Sequence, residues 1–165
     1  MPRAAGASTV TLSVLDRLID REPEHSSEAV PTRSQSVRQL KEALRRDLEW
    51  LLNTRRVAVE PPEGLRELNR SVYLFGLPDF SSYSLSSPRD QARLLRVLQA
   101  TIRLFEPRLT NLKVVQVDVP DARSHSLHFR IDGLLQIDPA PEHISFDTVL
   151  ELTNGEYAVR GGADA

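Results

Sequence analysis

Residues 126–137 read SLHFRIDGLLQI, with Leu127, Phe129, Ile131, Leu135 and Ile137 on one face and Ser126, His128, Arg130, Asp132 and Gln136 on the other. A two-residue period is that of a strand with one buried and one solvated face. The pattern recurs downstream, where Ile144, Phe146, Leu150 and Leu152 oppose Ser145, Asp147 and Glu151. Upstream it is imperfect: Val115, Val117 and Val119 alternate with Lys113, Gln116 and Asp118, but Val114 is apolar too. Asn154-Gly155 is a two-residue hairpin signal, and Tyr157-Ala158-Val159 returns as a short last strand. These segments predict an antiparallel β-meander of about four strands whose apolar face needs a cover.

The cover lies before residue 110, where the period is helical. Val37, Leu40, Leu44, Leu48, Leu51 and Leu52 mark one face of a helix that Ser36 and Gln39 would cap and that ends near Thr54. Ser87, Pro88 and Asp90 open another, with Leu95, Leu98, Ile102 and Phe105 as its inner face and Pro107 as its stop. Between them, residues 65–70 suit a helical turn, and Leu74 to Phe80 an apolar loop broken by Gly76 and Pro78. The expected fold is α+β, N-terminal helices packed on one face of the C-terminal meander. Residues 1–35 read as an arm, with a short amphipathic helix over 9–20 (Val10, Val14, Leu15, Leu18, Ile19) and a Pro-containing linker. That helix must dock either on its own domain or on a partner. Residues 36–160 form one domain and 161–165 a tail.

At 165 residues, with 40% hydrophobic residues, the chain suits one domain and is too apolar for a disordered one. It has no Cys, hence no disulfide framework and no thiolate nucleophile. No signal peptide or membrane span is legible, which points to the cytoplasm and against direct membrane insertion. The net charge of -2 is uneven: residues 1–110 carry 17 Lys+Arg against 14 Asp+Glu, residues 111–165 carry 4 against 9.

Catalytic patterns are sparse. His125 and His128, three apart on a strand, point to opposite faces, and no helical His pair offers a metal site. There is no nucleophile elbow and no phosphate-binding glycine loop. No metal or cofactor is expected. Asp132, Asp147 and Glu151 share the polar sheet face and are the only basis for a glycosidase reading, which needs two carboxylates about 5–9 Å apart. Arg89, Arg93, Arg96 and Arg103 form a stripe on the second long helix, the basis for a nucleic-acid reading. Without interleaved aromatic residues or an overall basic charge, nucleic acid is not expected as a partner. Glu106-Pro107-Arg108 is the most distinctive element. Proline forces the chain to turn there and fixes an acid and a base on the corner between helix and sheet. Either the two satisfy local backbone groups, or they make a bidentate contact with a partner.

Several blocks in one order resemble a known family: Leu44 to Arg56 (LRRDLEWLLNTRR), Tyr73 to Ser81 (YLFGLPDFS), Glu106-Pro107-Arg108, Leu127 to Leu134 (LHFRIDGL) and Phe146 to Glu151 (FDTVLE). They are similar to the type VI secretion baseplate subunits called TssE, a family shared with the small wedge subunit of contractile phage tails. The resemblance covers about residues 10–160. It implies a fold similar to the inner domain of tail-sheath subunits and a non-enzymatic role in the cytoplasm, within a membrane-anchored secretion assembly. The implied partners are other wedge subunits of the TssF, TssG and TssK type and sheath subunits of the TssB and TssC type. A free strand edge would template the first sheath ring, and Glu106, Pro107 and Arg108 would bind partners at the wedge core. Some family members are labelled lysozyme, so a peptidoglycan hydrolase is the alternative. An exposed Arg108 would tolerate a change to Asp without loss of folding.

Overall fold

A computed structural model describes residues 12–19, 23, 32–80, 82–84, 87–118, 126–151 and 156–161. The elements run α1 (Val14–Leu18), α2 (Arg33–Asn53), two 3-10 turns (Arg66–Arg70 and Val72–Leu74), α3 (Pro88–Phe105), then β1 (Leu109–Gln116), β2 (Ser126–Leu135), β3 (Glu142–Glu151) and β4 (Glu156–Arg160). The strands form one antiparallel sheet in the order β1-β2-β3-β4. This is the α+β meander with helices first. The Asn154-Gly155 turn, Leu152 and most of the linker lie outside the described residues.

The core lies between the sheet and the two long helices. Leu44, Leu48 and Leu52 of α2 and Leu94, Leu98 and Ile102 of α3 meet Phe129, Ile131, Phe146, Leu150, Tyr157 and Val159 of the sheet. β2, β3 and β4 turn alternate residues inward, which is why the β2 and β3 patterns were readable.

Four local expectations need correction. Helix α2 starts one turn earlier: Thr32, with Gln35, forms the capping box, and Ser36 is buried inside the helix, its hydroxyl donating to the Thr32 carbonyl. Both sites fit the Ser/Thr-x-x-Gln pattern, and the earlier one captures an extra turn of helix. The inner face of α3 is Leu94, Leu98, Thr101 and Ile102, with Leu95 and Phe105 only partly buried. In β1 the inward residues are Leu109, Leu112 and Val114, and Val115 faces out. The cause is an extra residue between Thr110 and Lys113, with Asn111 in the left-handed region at φ 50°. Such a bulge inverts the alternation beyond it, and asparagine tolerates that conformation better than most residues. Finally, the helix expected over 9–20 is described only from residue 12 to 19, spans Val14–Leu18, and does not bury its aliphatic residues, as described below.

Thr148 sits on the inner face of β3 between Phe129 and Val159 in register, 1% exposed, and its hydroxyl has no partner among the described residues. A buried hydroxyl without a hydrogen bond forfeits its hydration. Thr148→Val keeps the shape and is expected to stabilise the fold by about 1 kcal/mol, measurable by denaturant titration. A loss of stability would mean the hydroxyl has a partner after all.

Candidate functional site

The corner between α3 and β1 forms because Glu106 closes α3 with a final N–H bond to the Ile102 carbonyl and Pro107 cannot continue the helix. The chain then enters β1, with the Leu109 N–H bonded to the Glu106 carbonyl and the Gln136 N–H to the Arg108 carbonyl. Glu106 is 5% exposed. Its two carboxylate oxygens accept from Nε and one terminal nitrogen of Arg108, a planar two-point pairing. That same terminal nitrogen donates to Asp47 Oδ2 of α2 at 2.7 Å. Arg46 in turn donates twice to Asp47 Oδ1, at 2.9 and 3.2 Å, lies 2.8 Å from Asp16 Oδ1 of α1, and stacks 4.9 Å from the centre of the Trp50 ring.

Three carboxylates and two guanidiniums thus alternate along one chain of contacts, Glu106–Arg108–Asp47–Arg46–Asp16. The hydrogen bonding of Arg108 to the Glu106 carboxylate is the main reason the Arg108 charge is held more firmly than in water. Partial burial opposes it, and Asp47 adds to it. For Asp16, burial works against the charge, but the Ser13 hydroxyl and Arg46 outweigh it and hold the carboxyl below its ordinary value. A lowered carboxyl stabilises the fold above its ordinary range, and that contribution is lost as pH falls through the lowered value.

The corner's acid and base therefore do not serve the first of the expected ends, the satisfaction of local backbone groups. They bind each other and Asp47, not local backbone, and they are not splayed outward. What the corner presents is Pro107, which is exposed, and an open pocket of about 400 Å³ beside it. Ser13, Trp50, Leu51, Phe75 and Phe105 line that pocket with Asp47 and the corner residues. Asp16, Arg46, Asp47 and Trp50 were not singled out as site residues. Asp47 and Arg108 are 61 positions apart, so no local spacing could join them. Their one sequence signal was that three of them fall inside the LRRDLEW block.

The two sheet edges are unequal. The β3–β4 pairing turns the backbone groups of Tyr157 and Val159 outward, and α2 covers them. The Asn53 side chain takes the Tyr157 N–H and C=O at 2.8 and 2.9 Å, and Arg45 takes the Val159 C=O at 3.1 Å. On the opposite edge the Val117 N–H bonds to the His128 carbonyl of β2, so alternation turns Val114 and Gln116 outward. Gln99 of α3 caps the Leu112 carbonyl, but among the described residues the outward groups of Val114 and Gln116 have no partner. Among the described residues the free edge is β1.

Of the other candidate carboxylates, Asp132 and Asp147 are brought together, diagonal neighbours across β2–β3 at roughly 7–8 Å, within a glycosidase span but facing Arg130 on an open sheet surface. Asp147 pairs with Arg130 at 2.8 Å on an exposed sheet face. Glu151 stands opposite Ser126, six residues along β2 from Asp132, a separation of roughly 20 Å. It is four residues from Asp147 on its own strand, roughly 13 Å away, beyond the span of a glycosidase pair. Arg89, Arg93, Arg96 and Arg103 are exposed, but Arg93 stacks on Tyr83 and Arg96 bonds back to the Ala92 carbonyl. Among the described residues no group of three or more His, Asp or Glu could hold a metal ion, and no helix is long and apolar enough to cross a membrane.

Helices over one face of a four-strand meander, an ion-paired corner where they join and one uncapped sheet edge define an α+β subunit. The chain belongs to the baseplate wedge protein gp25 family, whose model matches residues 38–140, from early in α2 through the corner and β2. It is thereby a structural protein of a phage-tail-like baseplate, interacting with other baseplate components. No curated protein matches the sequence.

Proposed function

We propose that the chain is a non-enzymatic subunit of a type VI secretion baseplate, acting in the cytoplasm within a membrane-anchored assembly. It joins the wedge through the Glu106-Pro107-Arg108 corner and starts the first sheath ring by accepting a strand on the free edge of β1. The observation that carries the second role is the inequality of the edges. Adding a strand requires a row of unpaired N–H and C=O groups, and β1 offers them where β4 is covered by α2. The partners are wedge subunits of the TssF, TssG and TssK type and sheath subunits of the TssB and TssC type, with no cofactor.

Co-purification with those partners tests both roles. Gln116→Pro removes an outward N–H without breaking a bond to β2, and proline is tolerated on edge strands. It is expected to keep the fold and wedge binding while sheath recruitment drops about tenfold or more, since each backbone bond to the incoming strand is worth about 1 kcal/mol and proline also obstructs its neighbour. Pro107→Asp, on the exposed tip, is expected to do the reverse. Sheath recruitment unaffected by Gln116→Pro would remove the β1 edge from the account.

A further inference from the structure

Helix α1 is attached the wrong way round for an element of a hydrophobic core. Its aliphatic residues face solvent: Val14, Leu15, Leu18 and Ile19 are 42–77% exposed, and none of its five residues is buried. The side chain it does bury is a carboxylate, Asp16, at 4% exposure, turned in towards Arg46. Ser13 caps the helix and accepts from the Asp16 N–H at 3.1 Å, while Leu12 packs against the core just before it. Ser13 also forms part of the wall of the pocket that holds Trp50, Phe105 and the corner.

We propose that α1 is a releasable strap on the rim of the corner pocket, hinged at Leu12 and latched by the Asp16–Arg46 contact. Lifting an ordinary amphipathic helix exposes its apolar face, and that loss holds it down. Lifting α1 exposes little new aliphatic surface, because Val14 and Leu18 are largely in water and Leu15 and Ile19 about half so. The ion contact is the main polar contact given up, with the rim contact at Ser13. Arg46 loses little when the strap leaves, because Asp47 holds two of its donors and Trp50 its flat face. The docking site is therefore complete without the strap and persists when it lifts. A five-residue helix is also too short to survive alone, so release and unwinding are one event. The relevance of the strap to assembly rests on the corner being the wedge contact; its existence does not.

The full-length chain alone provides the test, so the strap and the wedge contact fail separately. Amide exchange at Arg17 and Ile19, whose N–H groups bond to the Ser13 and Leu15 carbonyls, reports docking of α1. Asp16→Asn is expected to lower their protection about tenfold, the equivalent of one partly buried ion contact. Amides of α2 keep their protection and the melting temperature falls by no more than about 2–4 °C. Trp50 is the only tryptophan, and its fluorescence becomes easier for acrylamide to quench in the variant as the rim opens. Arg17 and Ile19 amides that stay protected in Asp16→Asn would overturn the latch. Protection lost equally in α2 would make α1 an integral part of the core and overturn it too. Unchanged quenching would overturn its position over the pocket.

Discussion

Gly76→Ala is expected to destabilise the protein by roughly 3 kcal/mol, lowering the melting temperature by about 6–12 °C. Gly76 stands at φ +102°, and a Cβ built on it would lie 2.3 Å from the carbonyl oxygen of Thr54. That oxygen cannot move aside cheaply. It accepts the Leu77 N–H at 2.7 Å, and the Leu77 carbonyl accepts the Arg56 N–H at 2.9 Å, the bridge that ties the loop to the end of α2. The substitution adds left-handed strain and breaks the tie together. Gly64, at φ +93° with nothing within 4 Å of a Cβ, separates the two effects. Gly64→Ala is expected to cost only the strain, about 1 kcal/mol. Equal melting temperatures for the two variants would show that the Thr54 contact is unimportant.

Arg108→Asp is expected to cost roughly 3–5 kcal/mol, contrary to the sequence-based expectation of a tolerated exposed charge swap. Arg108 is the one cation between Glu106 and Asp47, and its side chain is only 28% exposed. Its replacement by a carboxylate leaves Glu106 buried and unpaired and places three negative groups together. The loss of assembly in this variant would thus reflect unfolding as much as a lost contact, which is why Pro107 is the better probe of the wedge. A double-mutant cycle of Arg108→Met with Glu106→Gln, read by denaturant unfolding, is expected to show coupling of about 1–3 kcal/mol. Strictly additive losses would mean that the pairing contributes nothing.

The α+β order was legible because β2 and β3 each have one face buried throughout, which leaves an unbroken two-residue period in the sequence. It failed in β1, where one extra residue at the bulge shifts every later side chain to the opposite face, and no local residue pattern announces an insertion. It failed again at the start of α2, where two overlapping capping patterns compete and the choice depends on which turn packs. Glu106 and Arg108 were visible because proline marks a corner. Their burial and their shared partner Asp47 were not, since those depend on α2 lying beside a turn 61 residues away. The stripe of α1 left two places open to it, its own domain or a partner, and the aliphatic side chains described do not enter the core. Periodicity shows that a helix has an apolar side, not which side the fold turns inward.

The direct test of the central claim, that sheath assembly starts on β1, is site-specific cross-linking. The chain has no cysteine, so one introduced thiol is unique. Val115, exposed on the outer face of β1, and Ala158, exposed on β4, are suitable positions. With a short thiol-anchored cross-linker in assembled baseplates, Val115→Cys is expected to capture the sheath subunit and Ala158→Cys is not. Capture from Ala158→Cys alone, or assembled sheath with none captured at Val115→Cys, would contradict the account.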